Sequence, residues 1–366
     1  MSAATTLVAT FQPGFEPLAE RDLFAAEPDA RALATLAPGV WELAPAPDDP
    51  RGTRLAAALA GRPVASPIPA LAFRHLHRVT LTAPVPTSLD ALASSLAGLQ
   101  ADLGRGPYAV QTRLLAGAPW PGVRAIDIND AVAAALATRG PVPPYDRRSP
   151  REIVSLTLTR DRVRAGVSTA TENLSPWPGG ARRFAATDAS PSRAEHKLEE
   201  ALELFPELLA GLTGEPRALD LGAAPGGWTQ VLANLDFEVT AIDPATLSPN
   251  VLADPRVRHL RITAEQHLER SNDRFDLVVN DVRMDARDVA RLLVAHRRVL
   301  SPGGRILTTL KLPERRALPV LDTALAILGD AYRVVAGRQL FHNRNEVTLL
   351  LSPLGAAPRA ASPAAR

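Results

Sequence analysis

From residue 192 onward the chain reads as a doubly wound, mainly parallel α/β domain, and the residues before it read as an irregular α+β region. Three observations carry this. Apolar runs of strand length alternate with segments of helical periodicity after 192. A glycine-rich turn, GAAPGG at 222–227, joins the first of those strands to a helix. In the first 170 residues strands and helices are mixed without a regular strand–helix–strand order.

In the first region TTLVATF predicts a strand, QPGFE a turn and EPLAERDLFAAE a helix. AFRHLHRVTLTAPV predicts a further strand, and TSLDALASSLAGLQADLG a helix capped by Thr87 or Ser88. PYAVQTRLLA follows as a strand, DINDAVAAALATRG as a helix ending at Gly140, and REIVSLTLTRDRVRAGVSTA as a hairpin turning at Arg160–Asp161. Residues 172–191 hold three prolines, two glycines and no periodicity, which marks a linker or functional loop. Then come a helix over 192–211, strand RALDLG, helix GGWTQVLANL, and strands EVTAID and VRHLRI. Helix AEQHLER, strand FDLVVND, helix DARDVARLLVAHRRVL, a turn at SPGG and strand RILTTLKL come next. Helix LPVLDTALAILGD and two extended runs, RVVAGRQLF and EVTLLLS, close the domain, and the short link between the two runs predicts an antiparallel strand. Residues 355–366 read as a disordered tail.

Composition removes several classes of function. The 366 residues include no cysteine, so disulfides, thiolate metal sites and a cysteine nucleophile are excluded. The seven histidines have no metal-ligand spacing beyond HLH at 75–77, which alternates like one face of a strand, so no metal is expected. No apolar run is long enough for a membrane span, and the N-terminus lacks the pattern of a signal peptide, so a cytoplasmic protein is expected, with a monomer favoured. Residues 1–50 carry two arginines against eight acids, whereas 51–150 carry eleven arginines against five acids. A basic middle segment is compatible with a nucleic-acid partner and equally with an ordinary solvated surface. Arg74, Arg78, Arg105, Arg113, Arg147 and Arg148 are its candidates for phosphate contacts.

The segment ALDLGAAPGGWTQVL (218–232) is the most informative. A strand runs into Gly222, a short loop follows, and a helix begins near Trp228. Glycines there let backbone amides approach a ligand, and a helix N-terminus favours a carboxylate or phosphate. The spacing differs from the GxGxxG of dinucleotide enzymes, and a proline removes a backbone donor that a pyrophosphate would use. A ligand with one carboxylate and a ribose fits better. Asp243 ends the next strand, where a carboxylate accepts hydrogen bonds from ribose hydroxyls. The same residues also read as a tight structural turn followed by a strand-end aspartate.

Two lysines stand among 41 basic residues, Lys197 and Lys311. Arginine serves for surface charge, but only lysine can give up its proton near neutral pH. Codon bias with two accidental survivors explains the count equally well on its own.

LDLGAAPGGWT resembles the S-adenosylmethionine loop of the FtsJ-like RNA ribose methyltransferases, which carry a Lys-Asp-Lys-Glu tetrad. Lys197 in SRAEHKLEEA, Asp281 in VVNDV, Lys311 in LKLP and Glu346 in NRNEVTLLL fall on that tetrad. QPGFE, NLSPWPGGARRF and GRQLFHNRNEVT narrow the resemblance to the ribosomal large-subunit RNA 2′-O-methyltransferase M family, strongly over 172–352 and more weakly before that. The resemblance implies a Rossmann-like class I methyltransferase domain at 192–354 that uses S-adenosyl-L-methionine. It also implies a ferredoxin-like subdomain at 1–65 and a THUMP-like RNA-binding domain at 66–171, with 172–191 as linker. The implied reaction is 2′-O-ribose methylation of 23S rRNA, at a cytidine. Methylation of transfer RNA or another RNA, and a non-catalytic role in ribosome assembly, are the alternatives. Gly222, Ala224, Pro225, Gly226, Gly227, Trp228, Asp243, Thr263 and Asp281 are the implied cofactor contacts. The implied roles are proton transfer for Lys311, positioning for Asp281, and ribose orientation for Lys197 and Glu346. Two positions depart from the family pattern: Ala194 stands where a serine is frequent, and Thr263 where a carboxylate is frequent. Trp177 and the Arg182-Arg183-Phe184 run are candidates for stacking on RNA or clamping it.

Overall fold

The computed structural model describes residues 5–63, 68–117, 119–184 and 194–355. Residues 356–366 of the expected tail, residues 185–191 of the expected linker, and the expected domain boundary at 65/66 lie outside the described residues. The chain divides into two compact units. The first comprises residues 1–60 and 72–182, the second 61–71 and 183–366.

The first unit opens with β1 (Thr6–Phe11), α1 (Glu16–Ala26), β2 (Arg31–Ala37), β3 (Val40–Ala44) and α2 (Thr53–Ala58). It continues through β4 (Phe73–Val79), β5 (Leu81–Pro84), α3 (Leu89–Leu96), β6 (Tyr108–Leu114), α4 (Ala125–Ala137), β7 (Glu152–Leu158) and β8 (Arg162–Thr169). These strands form two four-stranded sheets, in the orders β2-β3-β1-β4 and β5-β8-β7-β6. The single run AFRHLHRVTLTAPV supplies a strand to each: β4 pairs with β1, and β5 pairs with β8. Nothing in the sequence breaks the run, and the different partners on either side of Thr80 divide it. Residues 172–182 belong to this unit. The carbonyl of Asn173, a fully buried residue, accepts from the Leu76 amide at 3.1 Å.

The second unit contains α5 (Glu195–Leu204), β9 (Arg217–Leu221), α6 (Gly227–Asn234), β10 (Glu238–Ile242), α7 (Pro249–Leu252) and β11 (Val257–Leu260). After these come α8 (Ala264–Arg270), β12 (Phe275–Asn280), α9 (Ala286–His296), β13 (Leu300–Lys311), α10 (Ala317–Gly329), β14 (Tyr332–Arg338) and β15 (Glu346–Pro353). The sheet order is β11-β10-β9-β12-β13-β15-β14, parallel from β11 to β13, with β15 antiparallel to both β13 and β14. This is a Rossmann-like methyltransferase fold. Leu198, Phe205, Trp228, Leu232, Val279, Leu307 and Leu350 join one core cluster that locks α5 and α6 onto the sheet.

Two sequence expectations shift here. The helix expected over 192–211 ends at Leu204, because Pro206 lacks an amide and drives Phe205 out of helical geometry (φ −119°, ψ 75°). The expected turn at SPGG lies inside β13, where the register against β12 slips from Phe275↔Leu300 to Leu277↔Arg305. Gly303, at φ 76°, absorbs that irregularity.

Gly61 and Leu71 bond to the end of β14 and the residue after it. The Gly61 and Leu71 carbonyls accept from the amides of Gly337 (2.7 Å) and Gln339 (2.6 Å). Arg62 donates to Glu207 at 2.8 Å and to the Leu204 carbonyl at 3.0 Å. No helix of the described residues is long and apolar enough to cross a membrane.

Candidate active site

In an open parallel sheet the ligand crevice forms beyond the carboxyl ends of the strands, where order reverses. Here β9 has β10 on one side and β12 on the other, so the reversal lies beside Gly222. Asp243 follows the end of β10, Asp281 follows the end of β12, and Lys311 ends β13. Because β15 is antiparallel, its first residue, Glu346, stands at the same edge, in register with Lys311. Lys197 reaches this edge from the first turns of α5, whose start is held by Trp228: the indole Nε1 donates to the Ala194 carbonyl at 2.7 Å.

The four expected tetrad residues meet in a closed ring. Lys311 Nζ lies 2.6 Å from Asp281 Oδ1 and 3.5 Å from Glu346 Oε2. Lys197 Nζ lies 3.1 Å from Asp281 Oδ2 and 2.6 Å from Glu346 Oε1. Lys311 also donates to the Asp281 carbonyl at 3.0 Å, so its position is set by backbone as well as by charge. Burial pushes the Asp281 carboxyl up, but Lys311, Lys197 and the Thr309 hydroxyl outweigh that and hold it below its usual range. Of the two lysine side chains that of Lys311 is the more open, 26% exposed against 12% for Lys197. It can therefore meet an incoming hydroxyl while its partners stay covered.

A cleft of about 500 Å³ adjoins the ring and shares Asp281 with it. Gly222, Ala223, Ala224, Pro225, Gly227 and Trp228 line it from the loop and α6, and Asp220, Asp243, Val282 and Arg283 from the strand ends. Gly222 (φ 77°) and Gly226 (φ 115°) hold backbone conformations that side chains rarely adopt, and a Cβ at Gly222 would lie 2.7 Å from Val282. Asp243 accepts from the amides of Ala224 (3.1 Å) and Ala245 (2.7 Å), which ties the loop to the end of β10. The volume suits a nucleoside-sized ligand. The carboxylates suit a cationic, hydroxyl-bearing one. The residues present therefore fit S-adenosylmethionine. Gly226 shapes the loop and is not among the lining residues, and neither is Thr263, which caps α8 by accepting from the Gln266 amide at 3.3 Å.

Three contributors escaped sequence reasoning. Asp220 is buried at the end of β9 and accepts from Thr229 at 2.6 Å; burial pushes its carboxyl up to about 7. Its only signal was an acid inside an otherwise apolar strand. Thr309 donates to Asp281 and accepts from Lys311, a contact visible in sequence only as the i, i+2 spacing of one strand face. Glu200, one helical turn beyond Lys197, accepts from the amides of Phe341 (2.8 Å) and His342 (3.1 Å).

In the first unit the candidate arginines differ sharply. Arg78 is paired with Glu172 at 2.8 Å, Arg147 stands 3.9 Å from Asp130, and Arg74 donates to Gln12. Arg105 and Arg148 are exposed. Arg113 lines a small polar pocket with His75, His77 and Gln111. Trp177 is covered by the Arg182 guanidinium, 5.6 Å from the ring centre.

Residues 191–323 match the FtsJ-like methyltransferase family. A relative named ribosomal RNA large subunit methyltransferase M, from Alkalilimnicola ehrlichii, is 41% identical over 180 residues, covering 48% of this chain and 49% of the relative. The chain thus spans about half the length of this relative in the match. A protein of the same name from Xanthomonas oryzae pv. oryzae is 32% identical over 243 residues, covering 64% of this chain and 68% of the relative. A solved structure, TrmN from Thermus thermophilus, aligns over 96% of this chain and 100% of its own at 19% identity and a TM-score of 0.38, too loose a superposition to bear on function.

Proposed function

The chain belongs to the ribosomal RNA large subunit methyltransferase M family, and we propose that it transfers a methyl group from S-adenosylmethionine to a ribose 2′-hydroxyl of 23S rRNA, at a cytidine. The observation that carries this reading is the closed ring of Lys197, Asp281, Lys311 and Glu346 beside a nucleoside-sized cleft.

S-adenosylmethionine, when bound, supplies a methyl group already activated as a sulfonium, so the protein has to align the reactants and remove one proton. Ala224 to Trp228 would hold the methionine end at the start of α6, and Asp243 the ribose hydroxyls. Lys311 is the base that takes the 2′-hydroxyl proton. Asp281 positions it through both its carboxylate and its backbone carbonyl, which leaves the amine little freedom to turn away. Lys197 and Glu346, joined at 2.6 Å, orient the ribose and balance the charge.

The first unit we read as ferredoxin-like and THUMP-like, presenting RNA through arginine–phosphate contacts, with the exposed Arg105 and Arg148 as its open candidates. Binding of RNA should then fall steeply with salt.

The test is to incubate the purified chain with S-adenosylmethionine and total RNA from a strain lacking the gene, then map 2′-O-methyl marks in 23S rRNA and transfer RNA. One new mark, at a cytidine, is expected. Marks on transfer RNA alone would move the substrate assignment, and cofactor binding without any mark would favour a non-catalytic assembly role.

A further inference from the structure

We propose that Phe184, His196 and His342 form a stacking platform for a nucleobase of the RNA, beside the ribose that is methylated. This rests on the ribose-methylation reading above and adds to it the surface that seats the base. The Phe184 and His196 rings are stacked, with centroids 4.9 Å apart and planes 12° from parallel. The His342 ring lies 5.4 Å from Phe184 and 5.2 Å from His196. All three are half-buried, unlike the core rings Phe205, Phe237 and Phe275, which are closed off from solvent.

The platform is built on the same junction as half of the catalytic ring. His196 immediately precedes Lys197 on α5, and His342 lies in the short loop that leads into Glu346. Glu200 of α5 holds that loop by both the Phe341 and His342 amides, and Lys197 holds it again through Glu346. His196 is itself fixed by a 2.8 Å contact with Glu199. The rings are therefore held in place relative to the tetrad. In a nucleotide the base is carried by the carbon next to the one that bears the 2′-hydroxyl. A ribose placed at Lys311 must send its base to one side of the tetrad, and the rings next to Lys197 and before Glu346 offer partly exposed π surfaces for it. Stacking tolerates any base, so the platform supplies grip and orientation rather than sequence choice.

Steady-state methylation of 23S rRNA by Phe184→Ala, His342→Ala and His342→Phe separates this role from a structural one. The alanine variants are expected to raise the KM for RNA roughly 5- to 100-fold, the range for losing one base stack. Turnover at saturating RNA should stay within about threefold of the parent, because no group acting on the reacting atoms is lost. The affinity for S-adenosylmethionine should not change, and His342→Phe should recover most of the KM. A 2-aminopurine placed next to the mapped nucleotide should lose its quenching in the alanine variants. An unchanged KM in both alanine variants, or His342→Phe as defective as His342→Ala, would overturn the platform. Failure of the parent protein to methylate RNA would instead refute the reading beneath it, before any variant is measured.

Discussion

Lys311 and Glu346 stand directly opposite each other on the antiparallel strands β13 and β15, with Nζ and Oε2 3.5 Å apart. Residues 35 positions apart in the chain thus form a cross-strand pair whose geometry the sheet ladder dictates. Lys197 then bridges the same glutamate and Asp281, closing the ring from a helix.

That arrangement makes Lys311→Arg the most informative substitution. Arginine keeps the charge and can reach Asp281, but it holds its proton at any workable pH. Turnover should fall nearly as far as in Lys311→Ala, by a factor of order 10²–10⁴. RNA and cofactor binding should change much less. At Lys197, which touches two carboxylates and is the more buried of the pair, arginine should recover part of what alanine loses. A Lys311→Arg protein that methylates at the parent rate would show that another group takes the proton.

Asp243 and Gly226 test the cleft in different ways. Asp243→Ala removes the acceptor for two loop amides along with the expected ribose contact. Calorimetry should show weaker S-adenosylmethionine binding with the fold kept, and unchanged affinity would displace the ribose from Asp243. Gly226→Val should be worse and should also lower stability, because its Cβ would sit 2.9 Å from Val251 at a φ of 115°.

Asp220 predicts a pH dependence. Burial is the main cause of its raised value of about 7, with Asp281 and Asp243 adding to it and Thr229 opposing. Between its unfolded value of 3.8 and about 7 the native state keeps a proton that the unfolded chain has released. Stability is therefore lost as pH rises through that window, on the order of a few kcal/mol from this group. Asp220→Asn, which can still accept from Thr229, should raise Tm at about pH 8 and leave it little changed near pH 4. A cationic ligand favours the ionised carboxylate, so affinity for S-adenosylmethionine should rise with pH through about 7, and Asp220→Asn should flatten that rise. Equal pH profiles for parent and variant would remove Asp220 from cofactor recognition.

Segment 61–71 bears on how the methyltransferase domain can be isolated. A fragment starting at 183 loses the two backbone hydrogen bonds to Gly337 and Gln339 and the Arg62–Glu207 pair. It also uncovers Arg338, which is buried beside Gly61 with its guanidinium pushed down to about 10 by burial. The fragment should unfold at lower urea concentration than the same domain in the full chain. Equal midpoints would show the segment to be dispensable.

The alternation of strands and helices after 192 and the glycine loop were legible in the sequence, because each leaves a local mark, a period or a turn residue; the two lysines stood out by their rarity, and Asp281 and Glu346 were named only through the family resemblance. Even the antiparallel placement of β15 followed from the shortness of the link before it. Other features depended on partners distant in sequence and left no such mark. The strands β2 and β3 and the short helices α2 and α7 went unread, since β2 is mostly exposed and the others are short. Asp220, Thr309 and Glu200 look like ordinary residues of strand and helix until the fold brings Asp281, Lys311 and the 341–342 amides to them. Gly61, Arg62 and Leu71 lie well before residue 192 in the chain, yet they bond to Gly337, Glu207 and Gln339 of the second unit. By itself the sequence determined the strand–helix alternation and the glycine loop, because period and turn chemistry are local. Only the tertiary structure decided which neighbours hold the tetrad residues, because burial and charge pairing arise between residues that nothing local connects.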